Sequence, residues 1–222
     1  MANKHIVPIF SGGGTRLLAH IGILKALEEL NVGFNSMVGI SGGSIVASLH
    51  SYGMTNKALY DLAVNTDFRQ FRDFSILRLL RYGGLSSGIK FEQWMDEQLD
   101  GMTFSDAPIP LHIPATDVNG GGPVIFSKET SPNMKVSHAV RCSMSIPLLF
   151  SYQVYEQHLL VDGAILSEDA LFRDWQQDGT PNICFRLRSE AREQPFNPKR
   201  RFMLPQYIGM LIRTFMDYIQ QV

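Results

Sequence analysis

A serine set between paired glycines is the sharpest chemical feature of this sequence. Residues 39–43 read GISGG, the pattern G-x-S-x-G, and they lie between an apolar run and a helical pattern. Glycines on both sides permit a tight strand-to-helix turn that exposes the serine hydroxyl at its apex. The amides that begin the next helix favour negative charge there. The pattern indicates Ser41 as a nucleophile, with a serine that only caps the helix as the alternative.

A glycine cluster at the first strand-to-helix junction is a candidate anion site. The sequence GGGTR supplies Gly12, Gly13, Gly14 and Arg16. Consecutive glycines let backbone N–H groups converge on an anion, which in an acyl hydrolase would be the oxyanion. Arg16 would add charge or hold the loop in place. A structural turn is one alternative; a nucleotide loop is disfavoured, because G-x-G-x-x-G requires a glycine at Leu17 and no G-x-x-x-x-G-K-[ST] occurs.

A serine nucleophile needs a base, and Asp162 is the candidate that the pattern favours. It follows the apolar run of residues 159–161, at the carboxyl end of a predicted strand, where catalytic groups gather in a parallel sheet. A carboxylate there could accept the serine proton directly, although Asp-Gly after a strand is also a common turn. Three histidines could instead complete the α/β-hydrolase order of serine, acid and histidine: His112, His138 and His158. None has a recognisable loop signature, and we interpret each as an ordinary core or surface histidine.

The elements around these residues predict an α/β fold. Strand, glycine turn and helix occur twice in succession, which is typical of βαβ units and a parallel sheet. The predicted strands cover residues 5–10, 36–40, 111–116, 123–127, 158–161 and 182–187. The predicted helices cover residues 17–30, 44–52, 136–144 and 207–222, with 66–99 helical around a break at 82–88 and a loop at 188–205.

Composition limits the function classes. The chain has 222 residues and a net charge of −1, which is compatible with one domain over residues 1–222 and does not indicate nucleic-acid binding. Cys142 and Cys184 have no metal-ligand spacing, so we expect no metal or other cofactor and a reducing, cytoplasmic setting. Neither a signal peptide nor a membrane-spanning run is predicted, which leaves transient, peripheral contact with a membrane. The helical pattern runs to Val222 without a stop signal, which suggests truncation at the C-terminus.

In combination, these motifs resemble the patatin-like phospholipase family. GGGTR, HIGILKALEEL, GISGG, ATDVNGGGPVIFS, AVRCSMSIPLLF and LLVDGA follow in the family's order over most of the chain. The resemblance implies a layered α/β/α fold with a mainly parallel central sheet, and hydrolysis of glycerolipid acyl esters by a Ser–Asp dyad. It implies Ser41 as nucleophile and Asp162 as base. It also implies an oxyanion and substrate-binding site formed by Gly12, Gly13, Gly14, Arg16 and Gly42.

The sequence departs from the family pattern at three places. Ala164 replaces the second glycine of the usual Asp-Gly-Gly, Leu17 replaces a glycine after the basic loop residue, and residues 166–169 replace an asparagine-rich stretch. The expected substrate is a phospholipid or lysophospholipid. The alternatives are a soluble esterase or thioesterase, and an inactive member of the fold that binds lipid or a partner.

One further segment interleaves arginines with bulky apolar residues, over residues 68–74 and 76–81. Such a segment could rest on anionic lipid or form a lid over an acyl groove. We favour the simpler interpretation, a helix packed on the domain with its arginines in solvent. The basic residues 199–201 carry the same alternatives.

Overall fold

The structure, a computed structural model, describes residues 4–12, 16–71, 73–166 and 173–187, together with 207, 209–211 and 214. The strands in this part are β1 (Lys4–His5), β2 (Val7–Phe10), β3 (Val32–Gly33), β4 (Met37–Gly39), β5 (Gly84–Ser86), β6 (Leu111–Asp117), β7 (Gly122–Phe126), β8 (Leu148–Phe150), β9 (Gln153–Tyr155), β10 (His158–Val161) and β11 (Asn182–Phe185). The helices are α1 (Leu17–Glu29), α2 (Gly42–Ser51), α3 (Asn56–Asn65), α4 (Ile76–Tyr82), α5 (Ile89–Gln98) and α6 (Val136–Ser143). Short 3-10 turns cover Phe68–Phe71, Phe104–Asp106 and Gly163–Leu166.

The main sheet has the order β11-β2-β4-β6-β10-β9, with β7 also paired to β6. Strands β11, β2, β4 and β6 are mutually parallel, and the pairings of β6 with β7 and of β10 with β6 and β9 are antiparallel. Strands β2 and β4 are buried along their whole length, as parallel strands covered on both faces are. The predicted α/β fold with a mainly parallel central sheet is confirmed.

Successive side chains of β2 and β4 point to opposite faces of the sheet. Phe10 and Met37 belong to the larger apolar cluster, to which α1, α2, α5 and α6 contribute. Ile9 and Val38 belong to a smaller cluster on the opposite face. Because side chains alternate along a strand, each of these short strands contributes residues to both apolar clusters. Among the described helices, none is long and apolar enough to cross a bilayer.

Most predicted elements are present, with two corrections. The helical interpretation of residues 66–99 around a break at 82–88 is correct for α4 and α5, but a 3-10 turn stands where its first part was expected, and the break contains strand β5, which pairs in parallel with β8. In this segment α4 has no fully buried residue, and only Arg78 and Leu79 are half-buried. Helix α3 and strands β8 and β9 were not predicted. The loop at 188–205 lies outside the described residues, as does most of the helix predicted at 207–222.

Candidate active site

Ser41 lies at a sharp turn between the end of β4 and the start of α2. Its backbone has φ 50° and ψ −129°, a conformation that costs a residue other than glycine about 1–3 kcal/mol. The flanking glycines allow the close packing of this turn. A Cβ on Gly43 would lie 2.2 Å from the carbonyl oxygen of Phe10, and one on Gly39 would lie 2.5 Å from the Cα of Ser44. Larger residues would force strand and helix apart.

The structure brings the Ser41 hydroxyl to the Asp162 carboxyl. Ser41 Oγ donates a hydrogen bond of 2.7 Å to Asp162 Oδ2. Asp162 follows β10 and begins a 3-10 turn, in which the N–H of Ala164 donates to Asp162 Oδ1 at 2.8 Å. The N–H of Asp162 itself donates to the carbonyl oxygen of Ser145 at 3.0 Å. Both carboxyl oxygens and the backbone of Asp162 are therefore fixed in direction.

Burial raises the pKa of the Asp162 carboxyl. Ser41 is 0% exposed and Asp162 is 1% exposed. Loss of water around the charged form raises the pKa of Asp162 to about 7, although the hydrogen bonds from Ala164 and Ser41 act in the opposite direction. A carboxyl with a pKa near neutral is a far better proton acceptor than an ordinary aspartate, and it still ionises at physiological pH.

Ser143, at the end of α6, holds the backbone of the nucleophile candidate. The N–H of Ser41 donates to Ser143 Oγ at 2.9 Å, and Ser143 Oγ donates to the carbonyl oxygen of Pro114 at 2.6 Å. This hydroxyl links α2, α6 and β6 at one point. Sequence reasoning missed Ser143, although it lies in the segment AVRCSMSIPLLF that supported the family resemblance.

A buried arginine is linked to the aspartate through Ser145. Arg141 is 1% exposed and donates to the carbonyl oxygens of Ser87 and Ser151, at 2.5 Å and 2.9 Å from Nη2. Its Nη1 donates to Ser145 Oγ at 2.8 Å. Since the carbonyl of Ser145 accepts from the N–H of Asp162, Arg141 stabilises the segment that positions the carboxyl.

The glycine cluster is described only in part. A Cβ on Gly12 would lie 3.4 Å from Ser41 Cβ and 3.7 Å from Ser41 Oγ, so Gly12 borders the hydroxyl. Gly42 is buried at the start of α2. Neither the Gly12 nor the Gly42 amide donates a hydrogen bond within the part of the chain that the structure describes.

Of the other predicted residues of this cluster, the structure describes only Arg16. Gly13 and Gly14 lie outside the described residues. Arg16 is exposed, and its Nη1 lies 3.5 Å from the carbonyl oxygen of Leu187. Its charge is thus directed to another loop.

Other partners occupy the three histidines that could have completed a triad. His112 packs on Trp175 with ring centroids 4.8 Å apart, His138 Nδ1 lies 2.7 Å from Glu92 Oε1, and His158 Nδ1 lies 2.8 Å from Asp117 Oδ2. Within the described ranges, no histidine hydrogen-bonds to Ser41. Those ranges also hold no group of three or more histidines, cysteines or acidic residues suited to a metal ion.

The departures from the family pattern are compatible with this geometry where the structure describes them. Ala164 is in a 3-10 turn without positive φ, and its methyl packs in the smaller apolar cluster. Leu17 is buried at the first turn of α1, where its side chain lines a cavity. Residues 167–169 lie outside the described part.

An apolar cavity of about 710 Å³ is lined by residues of α2 and of the segment after α6, although neither Ser41 nor Asp162 lines it. Its walls include Leu17, Ile45, Phe71, Phe91, Met144 and Phe150. Ile45 is one helical turn beyond Ser41, and Met144 directly follows Ser143. The volume is in the range of pockets that enclose a small organic ligand.

Comparison with known proteins places this geometry in context. Residues 9–171 match the family described as patatin-like phospholipase. An uncharacterized protein of Bacillus subtilis (strain 168), YqhO, is 28% identical over 96% of this chain and 81% of its own length. Neuropathy target esterase sws of Drosophila grimshawi is 27% identical over 72% of this chain and 11% of its own length.

Two solved structures share the fold. VipD from Legionella pneumophila superposes with a TM-score of 0.61 at 16% identity, over 82% of this chain and 50% of VipD. ExoU of Pseudomonas aeruginosa, solved in complex with SpcU, gives a TM-score of 0.55 at 18% identity, over 99% of this chain and 51% of the solved chain. This chain thus spans about half the length of these two structural relatives.

Proposed function

The chain belongs to the patatin-like phospholipase family, and we propose that it hydrolyses acyl esters of phospholipids or lysophospholipids through Ser41 and Asp162. The observation that carries the proposal is the 2.7 Å hydrogen bond from Ser41 Oγ to Asp162 Oδ2, between two buried side chains. In this proposal Ser41 is the nucleophile, Asp162 is the general base, and residues 1–222 form one catalytic domain.

In the first step, Ser41 Oγ attacks the ester carbonyl carbon while Asp162 Oδ2 takes the hydroxyl proton. The carbonyl oxygen becomes an oxyanion, and its donors in this proposal are the unengaged amides of Gly42, which directly follows the nucleophile, and of Gly12, which borders its hydroxyl. An N–H directly after the nucleophile is a common oxyanion donor, and each such donor is typically worth about 2.7–4 kcal/mol.

In the second step, protonated Asp162 returns the proton to the leaving alcohol oxygen as the ester C–O bond breaks. The acyl group stays on Ser41 Oγ. Water then attacks this acyl-enzyme, Asp162 takes the proton of the water, and the fatty acid leaves as Ser41 recovers its hydrogen. A pKa of about 7 suits Asp162 to both the base and the acid role.

The neighbouring cavity favours a long acyl chain over the substrate of a small-molecule esterase or thioesterase. Its lining is dominated by aromatic and aliphatic side chains, and its volume of about 710 Å³ exceeds what a short acyl group fills. The alternative of an inactive, lipid-binding member is opposed by the pairing of an intact hydroxyl with a carboxyl of raised pKa, which such a protein has no need to keep.

Fatty-acid release from phosphatidylcholine vesicles, together with covalent labelling by a fluorophosphonate, tests the proposal. Ser41→Ala should abolish both signals. Ser48→Ala is a matched control, because Ser48 is also buried on α2 and its hydroxyl has no hydrogen-bond partner. Asp162→Asn should also abolish release. Release that persists in Ser41→Ala, or a label on another serine, would contradict the mechanism.

A further inference from the structure

Helix α4 presents apolar side chains to solvent. Ile76 is 73% exposed, Leu77 is 79% exposed and Leu80 is 80% exposed. The helix is nonetheless well defined, since the Ser75 hydroxyl accepts from its first turn and Gly83 ends it in a left-handed conformation. A cluster of large apolar residues held outward by a capped helix marks an interaction surface.

Positive charge accompanies this apolar face. From Asp67 to Tyr82 the sequence carries four arginines and two aspartates. Arg69 pairs with Asp67 at 2.9 Å, and the guanidinium of Arg81 stacks over the Tyr82 ring at 5.5 Å. In the described part of the chain Arg81 makes no ion pair, so its charge is available to an anion. Arg78 is also paired, with Asp73 at 3.8 Å. Among the described residues the surface therefore combines exposed leucines with the unpaired charge of Arg81.

Along the chain, α4 lies between segments that line the apolar cavity or pair with one that does. Phe71 and Phe74 line the cavity and come just before α4. Strand β5 follows α4 and pairs with β8, and Phe150 of β8 also lines the cavity. A partner surface that binds the exposed leucines of α4 would therefore lie close to the cavity proposed to hold the acyl chain.

We propose that α4 docks this protein on an anionic phospholipid surface. Ile76, Leu77 and Leu80 enter the boundary between headgroups and acyl chains, and Arg81 meets headgroup phosphates. Lipid suits this surface better than a protein groove, because apolar and cationic side chains occur together beside a cavity of acyl size. The proposal rests on the proposed function for the source of the substrate, but vesicle binding is measured without hydrolysis.

Co-sedimentation with vesicles tests the docking surface. The parent is Ser41→Ala, so that hydrolysis does not alter the membrane, and the vesicles contain equimolar phosphatidylcholine and phosphatidylglycerol. Adding Leu77→Ser and Leu80→Ser should weaken binding about a hundredfold, at about tenfold for each leucine. A matched pair of exposed apolar residues elsewhere, Leu30→Ser with Val154→Ser, should leave binding unchanged.

Charge is tested separately. Arg81→Gln should weaken binding to the anionic vesicles about fivefold and have little effect on pure phosphatidylcholine vesicles. Added salt should reduce the difference between the two lipids. Absence of parental binding to anionic vesicles, or equal binding by the double leucine variant, overturns the proposal, and a protein partner then becomes the better occupant.

A soluble short-chain ester distinguishes docking from chemistry. With Ser41 intact, the double leucine variant should hydrolyse the monomeric ester at the parental rate and lose release from vesicles, because neither leucine lines the cavity. Equal loss on both substrates overturns a docking role. Leucine-dependent vesicle binding without any hydrolysis leaves the docking proposal supported and overturns the proposed function instead.

Discussion

Replacement of Asp162 by asparagine should stabilise the folded protein above neutral pH. The carboxyl is buried, which raises its pKa from 3.8 to about 7. Because the folded state binds this proton more tightly than the unfolded state does, the free energy of unfolding falls as pH rises from the unfolded pKa to the folded one. One pKa unit is about 1.4 kcal/mol, so above pH 7 the ionised carboxylate destabilises the fold by roughly 4 kcal/mol.

Asparagine retains the shape of the site without the titration. Its Oδ1 can still accept from the N–H of Ala164, and its Nδ2 can donate to Ser41 Oγ. Urea unfolding of both proteins at about pH 5 and about pH 8 measures the effect, and we expect the advantage of the variant to grow by roughly 2–3 kcal/mol between them. Asp100→Asn, at an exposed site, is the control. An advantage of equal size at both pH values would refute the reasoning.

Four further outcomes follow from the geometry. Fatty-acid release should increase with pH and level off above the Asp162 pKa of about 7. Ser143→Ala removes the acceptor of the nucleophile's backbone N–H, and steady-state kinetics should show kcat reduced about tenfold to a hundredfold with the circular dichroism spectrum unchanged. Gly43→Ala should give no folded protein on gel filtration, because its Cβ would lie 2.2 Å from a carbonyl oxygen. Its control is Gly22→Ala, whose Cβ meets nothing within 4 Å and which should raise the free energy of unfolding by about 0.5–1 kcal/mol in urea unfolding. Ala164→Gly should lower the stability by about 1 kcal/mol without an increase in kcat.

The positions of Ser41 and Asp162 could be predicted because both depend on local patterns. The tight turn from β4 into α2 leaves no room for a Cβ at Gly39 or Gly43. This requirement can be recognised from the five-residue pattern GISGG alone. Asp162 follows a short apolar run that predicts a strand, and β10 ends there. The fold class follows from the same alternation of short apolar runs and helical patterns.

Contacts between distant segments could not be predicted in this way. The Ser143 hydroxyl meets Ser41 across 102 positions of sequence, and nothing in its neighbourhood distinguishes it from other serines. Strand β5 depends on its pairing with the distant strand β8. The residue after it, Ser87, is held by a 2.5 Å hydrogen bond from its hydroxyl to Asp73. Helix α3 was missed since Leu59 is its sole buried side chain among the described residues, which leaves too weak an apolar stripe.

The left-handed backbone of Ser41 has an evolutionary consequence. A glycine at this position would relieve a cost of about 1–3 kcal/mol, and under the proposed mechanism it could not attack an ester. Selection for chemistry thus opposes selection for thermal robustness at a single codon. In related proteins that no longer need to hydrolyse a substrate, we expect glycine to replace this serine early. The residue at this position would then distinguish relatives that retain the proposed catalysis from those that have lost it.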